Sequence, residues 1–150
     1  MKASQVRPGW LLRVDGVWRL VTCKTTARTR PPRVLFDLAE TPPGIIGRPT
    51  VAGLDTRAEV EATHLTGPQV EAVRVVAAGG VFRSCDSEGQ NHCWGHDDGV
   101  SRRWEPFDRA WEVDLIRPVD INRLWRVGFE PTDLGLGVLA MHGTAVSRAR

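Results

Sequence analysis

The dipeptide Asp15-Gly16, set between two short β-forming segments, constrains the fold more than any other feature of this sequence. Leu11–Val14 precedes it, and Val17–Thr22 follows with an alternation of apolar and polar residues that is rich in β-branched and aromatic types. Asp-Gly fits the central positions of a type I′ turn, because both residues there need a positive φ. The sequence therefore predicts a β-hairpin over residues 10–23.

Further strand candidates follow this hairpin at close spacing. They are Arg33–Leu38, residues 45–54 and residues 60–65, with a basic loop predicted from Lys24 to Pro32 and a turn at Thr41–Gly44. Short strands separated by turn residues are typical of a small β-barrel or sandwich. We therefore expect a mainly β protein in which residues 1–66 form one small barrel.

A second β-rich pattern suggests an internal repeat. In both copies an aromatic residue, Trp18 or Phe82, stands two positions after a glycine. The repeat favours a strand over residues 72–77, and a short helix from Gln69 to Ala78 is the alternative. We expect a second small β-domain at residues 70–118 that could pack on the first, although small β-meanders share such patterns without being repeats.

The last 32 residues differ in character from the rest. Asp120 can cap a short helix over Ile121–Val127. Leu134–Ala145 is apolar and contains small residues, so either a loose helix or an extended arm fits it. We expect residues 119–150 to form a C-terminal tail that packs on a barrel or on another subunit.

The first 65 residues resemble the N-terminal domain of bacterial elongation factor P, a KOW-type, SH3-like barrel. The resemblance rests on the Pro-Gly of Val6–Gly9, on Asp15-Gly16 between two strands, and on the closing segments Thr50–Asp55 and Val60–Ala62. It implies an SH3-like barrel here, and the repeat would make a second one. In the family, a modified lysine lies on a loop with the sequence Gly-Lys-Gly. The corresponding loop here, Thr25–Pro32, does not contain that sequence. The resemblance therefore implies the fold and not the translation-factor activity.

Two cysteines and two histidines form the densest group of reactive side chains. They are Cys85, His92, Cys93 and His96. Cys93 and His96 have the spacing of one zinc-ligand pair, but the two-pair pattern of a structural zinc site is missing. A cysteine nucleophile would need a base close to it in space, and proximity in sequence does not provide one. The sequence therefore predicts no enzyme, no metal site and no cofactor, with zinc binding by these four residues as the alternative.

Positive charge is concentrated at the N-terminal end. Residues 1–33 carry eight basic residues and one acidic residue, whereas the whole chain has a net charge of +2. A basic segment favours phosphate backbones or acidic protein surfaces. The predicted nucleic-acid-binding residues are Arg7, Lys24, Arg28, Arg30 and Arg33. We expect the loop from Lys24 to Arg33, stiffened by Pro31 and Pro32, to be the contact surface. A solvated loop that touches nothing is the alternative.

These features predict a non-enzymatic binding module whose basic N-terminal barrel contacts nucleic acid or a nucleoprotein. The alternative is a structural or protein-interaction subunit of a larger assembly, such as a viral one, that docks through the C-terminal tail. No apolar segment is long enough to span a bilayer or to act as a signal peptide, so we expect a cytoplasmic protein without membrane contact. The oligomeric state stays open.

Overall fold

The computed structural model of the chain describes residues 1–39, 51–85, 92–121 and 126–148. The protein is mainly β, as predicted, with two antiparallel sheets and a C-terminal helix. The chain divides into two compact units, residues 1–65 with residues 140–150, and residues 66–139. None of the described helices is long and apolar enough to cross a membrane.

The first unit contains a five-stranded antiparallel sheet preceded by a short 3₁₀ turn, Ala3–Gln5. Its strands are β1 (Leu11–Val14), β2 (Val17–Ala27), β3 (Arg33–Leu38), β4 (Val51–Asp55) and β5 (Ala62–Thr63). The order in the sheet is β4-β3-β2-β1-β5, so β5 returns to lie beside β1. The predicted hairpin is confirmed, because Val14 pairs with Val17 and both turn residues, Asp15 and Gly16, have positive φ values of 52° and 78°.

One face of this sheet carries the core of the first unit. Val34, Phe36 and Leu38 alternate along β3 and are buried, as the period of two in a strand requires. They pack with Leu12 of β1 and Val21 of β2. The register between β2 and β3 shifts between Val21 and Cys23, and such irregularities bend a strand and increase its twist.

Three element boundaries in this unit differ from the predictions. β2 continues to Ala27, because Lys24–Ala27 pairs with β3, so the predicted loop from Lys24 shrinks to residues 28–32. Of the strand expected at residues 45–54, the described part is β4, Val51–Asp55, while residues 45–50 and the turn predicted at Thr41–Gly44 lie outside the described residues. The fifth strand is shorter than predicted, at Ala62–Thr63.

The second unit combines a four-stranded antiparallel sheet with helices. Its elements are α1 (Gly67–Ala78), β6 (Val81–Cys85), β7 (His92–His96), α2 (Glu105–Glu112), β8 (Ile116–Ile121) and β9 (Arg126–Pro131), followed by α3 (Asp133–Arg148). The strand order is β7-β6-β9-β8. The two central strands are therefore distant in sequence, and they pair through Phe82–Ser84 and Arg126–Gly128.

The strand predicted at residues 72–77 is wrong, because this segment lies inside the helix α1. Thr66 and Gln69 form a reciprocal capping box at its start, and Pro68 stands in its first turn. The valines fit the helix because one side of it is buried, with Val73 and Val76 in the core. The predicted repeat is not a structural one, since its second copy begins in a helix and its first begins in a strand.

The described residues of the predicted tail, 119–121 and 126–148, lie in strands and a helix, apart from Thr132. The helix predicted over Ile121–Val127 is wrong at both ends, because Ile121 ends β8 and pairs with Val127 of β9; residues 122–125 lie outside the described residues. For the last segment, the helical alternative is the observed one. At the start of α3, Gly135 donates its N–H to the hydroxyl oxygen of Thr132, 3.1 Å away, and Val138 is fully buried.

Candidate nucleic-acid interface

Three of the five predicted nucleic-acid-binding residues meet where β2 turns into β3. Arg28 and Arg30 lie in the connection of residues 28–32, and Arg33 is the first residue of β3, paired with Ala27. All three side chains are exposed. In the part of the chain that the structure describes, no carboxylate forms an ion pair with any of them. We call these three residues the arginine tip.

Local hydrogen bonds hold the backbone of this connection. The hydroxyl of Thr29 donates to the carbonyl oxygen of Pro31 at 2.8 Å. The carbonyl oxygen of Pro32 accepts the N–H of Thr56 at 3.2 Å, which ties the connection to the end of β4. Two consecutive prolines also restrict φ. The backbone that carries the arginines is therefore fixed at both ends, while their side chains extend into solvent.

The sequence interpretation missed Arg57, a fourth exposed cation near this tip. Arg57 follows Thr56, whose N–H bonds to Pro32, so it lies close to the base of the connection. The acidic residue nearby is Asp55, which pairs with Arg33 across β3 and β4 and accepts the N–H of Arg57 at 2.8 Å. Only the strand pairing shows this proximity, because Arg57 and Arg33 are 24 positions apart.

Lys24 does not belong to the arginine tip. It pairs with Phe36 and therefore lies on the core-bearing face of the sheet, half-buried. Its ammonium group donates to the carbonyl oxygen of Ser4 at 2.5 Å. A lysine often covers apolar surface with its stem while its charged end reaches a polar group. The side chain of Lys24 thus covers the edge of the core.

Arg7 is exposed but lies away from the tip. It stands two residues before Gly9, whose N–H donates to the carbonyl oxygen of Val21 at 2.8 Å. Val21 and Ala27 are six residues apart on β2, which is about 20 Å at the rise of a strand. The structure therefore brings together Arg28, Arg30 and Arg33, and leaves Arg7 elsewhere on the first unit.

Other basic residues of the N-terminal segment are already engaged. Arg13 pairs with Glu61 at 3.1 Å, and Arg19 donates to the carbonyl oxygen of Ala39 at 3.1 Å. Lys2 lies 2.8 Å from Glu59, which also contacts the terminal amino group. The hydrogen bond from Lys2, supported by the terminal amine, lowers the pKa of Glu59 to about 2. Among the described basic residues of the N-terminal segment, the arginine tip thus brings together three that form no ion pair.

Of the cysteine and histidine cluster, the structure describes the side chains of Cys93 and His96, and these two do not converge on one site. Cys93 and His96 are three positions apart on β7, so they point to opposite faces of the sheet, and Cys93 is exposed. The Nδ1 atom of His96 instead accepts the N–H of Asp98 at 3.0 Å. Cys85 pairs with His92 through the backbone of β6 and β7. No three His, Cys, Asp or Glu residues among those described are placed to hold a metal ion.

Comparison with known proteins does not identify a family for this chain. The chain matches no protein-family model and no curated protein closely enough to indicate a relative.

Proposed function

We propose that this protein is a non-enzymatic binding module that contacts nucleic acid or a nucleoprotein through the arginine tip. The observation that carries the proposal is the gathering of Arg28, Arg30 and Arg33 at one hairpin end without an ion-pair partner among the described residues. The antiparallel strand order of the first unit, with β5 beside β1, supports an SH3-like barrel of KOW type as its fold.

The chemistry of arginine suits this role. A guanidinium group presents several N–H donors in a planar fork that matches a phosphate group, and its flat face also stacks on bases. Because no carboxylate in the described residues competes for these three groups, binding a phosphate does not first require an internal ion pair to break. The hydrogen bond between Pro32 and Thr56 already holds the backbone of the tip, so the tip loses less conformational entropy on binding.

The direct test is fluorescence anisotropy with labelled single-stranded and duplex oligonucleotides at low salt. The variant Arg28→Ala/Arg30→Ala should lose most of the binding, while its folding stays intact because exposed substitutions shift stability by about 0.5 kcal/mol or less. The matched control is Arg74→Ala/Arg117→Ala, which removes the same charge at exposed positions paired with Glu71 and Glu130.

Comparing the two variants shows whether binding depends on the position of the arginines or only on the net charge of the protein. If the tip variant loses binding and the control keeps it, the tip is the contact surface. If both variants bind like the wild type, or if the wild type does not bind either oligonucleotide at low salt, the proposal is wrong.

A second candidate is a structural or protein-interaction subunit that docks through the C-terminal helix. The observation that favours it is an exposed apolar side chain on α3, Leu136, which is 49% exposed. The first turns of α3, however, pack on their own chain through Gly135 and Val138, which leaves less of the segment for a partner. Sedimentation of the wild type and of Leu136→Glu tests this candidate. It requires that the wild type sediments as an assembly larger than one chain and that the substitution disrupts this assembly.

We also propose that the protein works in the cytoplasm. The described thiols of Cys23 and Cys93 are free and exposed, as is common in a reducing compartment.

A further inference from the structure

Arg83, in the second unit, has surroundings that the proposed function does not explain. It lies in the middle of β6, paired with Trp94 of β7 on one side and with Val127 of β9 on the other. Its guanidinium carbon is 5.5 Å from the ring centre of Trp94 and 5.4 Å from that of Trp111. A permanent cation is thus held, half-buried, between the sheet and α2.

The rings around Arg83 form part of a wider aromatic cluster. The planes of Trp94 and Trp111 are nearly perpendicular, with ring centres 6.2 Å apart. Phe129 contacts both, at 4.6 Å and 5.1 Å between centres. Such rings attract a cation through the negative charge of their faces, and they do not use its N–H donors. The cluster therefore fixes the guanidinium group in place without satisfying its hydrogen bonds.

No protein group that the structure describes pairs with this cation. The Nε atom of Arg83 is buried and has no hydrogen-bond partner, and no carboxylate among the described residues forms an ion pair with the side chain. Two acidic residues of α2 are engaged elsewhere. Asp108 accepts the indole N–H of Trp94 at 2.8 Å, and Glu112 pairs with Arg109 at 2.9 Å. A half-buried arginine without a counterion is unusual, because burying an unpaired charge is costly.

The remaining donors of Arg83 are accessible. Neither Nη atom of Arg83 forms a hydrogen bond with the described residues, and neither is a buried atom without a partner, so both keep some exposure to solvent. Two parallel N–H groups of this kind are the geometry that a carboxylate or a phosphate accepts in a bidentate manner.

We propose that Arg83 is an oxyanion-binding residue, held between Trp94 and Trp111, whose ligand is a carboxylate or phosphate group approaching the Nη atoms. This site uses no residue of the arginine tip and does not depend on the proposed nucleic-acid contact. The aromatic cluster positions the cation, and the ligand supplies the negative charge that the described protein groups do not.

The test is a titration followed by NMR on protein labelled with ¹⁵N at its arginine side chains. Inorganic phosphate, acetate and chloride are added separately at equal ionic strength. The buried Nε–H signal of Arg83, assigned by its absence in Arg83→Lys, should shift and saturate with phosphate, with acetate or with both. Which of the two oxyanions shifts the signal identifies the ligand chemistry. A signal that does not move, or that moves equally with chloride, overturns the proposal.

Thermal unfolding provides a second measurement, which does not require the NMR signal of Arg83 to be assigned. A ligand that binds only the folded state raises the midpoint, so the effective oxyanion should stabilise the wild type relative to chloride. Arg83→Met keeps an apolar stem against the rings and should lose this shift, whereas Arg109→Met, at the paired arginine of α2, should keep it. An equal shift in Arg83→Met and the wild type would show that the anion binds elsewhere.

Discussion

At the scale of single residues, the difference between a free and an engaged arginine decides where a ligand can bind. Arg13 and Arg28 are both exposed and basic, but Arg13 is paired with Glu61 and Arg28 has no carboxylate partner among the described residues. The charge count over residues 1–33 gives only the net charge of the segment and does not distinguish these two cases. The pairing depends on β1 and β5 lying side by side, which no local pattern in the sequence shows.

Glu59 gives a prediction for the pH dependence of stability. Its pKa is lowered from the ordinary 4.5 to about 2, so it contributes stability above pH 4.5 that is lost as the pH falls towards 2. The difference in unfolding free energy between the wild type and Glu59→Gln should therefore be largest above pH 4.5 and vanish near pH 2, as measured by urea unfolding. Adding Lys2→Met to Glu59→Gln should change little further. A difference that stays constant with pH would contradict this assignment.

At the scale of elements, the sequence predicted those whose signals are local. The hairpin at Asp15-Gly16 and the strand Arg33–Leu38 follow from turn chemistry and alternation, and both are observed. The helix α1 was predicted only as the alternative over Gln69–Ala78, because its valines favour strands, although the capping box of Thr66 and Gln69 is a local signal that could have decided for it. The β8–β9 pair was missed because strand pairing, and not propensity, decides that segment.

The packing of α3 depends on one glycine. A Cβ atom on Gly135 would overlap the carbonyl oxygen of Leu115, which is backbone and cannot rotate away. Gly135→Ala should therefore destabilise the protein by about 1–3 kcal/mol despite the higher helix propensity of alanine, as measured by urea unfolding. The control is Gly67→Ala at the start of α1, where a Cβ meets nothing within 4 Å. Equal stability of the two variants would show that α3 does not pack as described.

At the scale of the whole molecule, the two units carry opposite net charge. Residues 1–65 with 140–150 hold twelve basic and six acidic residues, a net of +6, whereas residues 66–139 hold eight basic and twelve acidic residues, a net of −4. Charge asymmetry of this kind favours contact with a polyanion through the first unit and opposes it through the second. The sequence alone predicted the excess of positive charge in residues 1–33, but the division into these two units and the arrangement of the tip, including Arg57, required the structure.

The salt dependence of oligonucleotide binding tests the central claim most directly. Each phosphate contact contributes about −0.9 to the slope of log Kobs against log salt for duplex DNA and about −0.7 for a single strand. Over roughly 50–200 mM salt, the wild type should show a steep slope, and Arg28→Ala/Arg30→Ala should reduce its magnitude by about 1.8 on duplex DNA. Arg74→Ala/Arg117→Ala should keep the wild-type slope. Identical slopes for the wild type and the tip variant would show that the arginine tip does not contact phosphate.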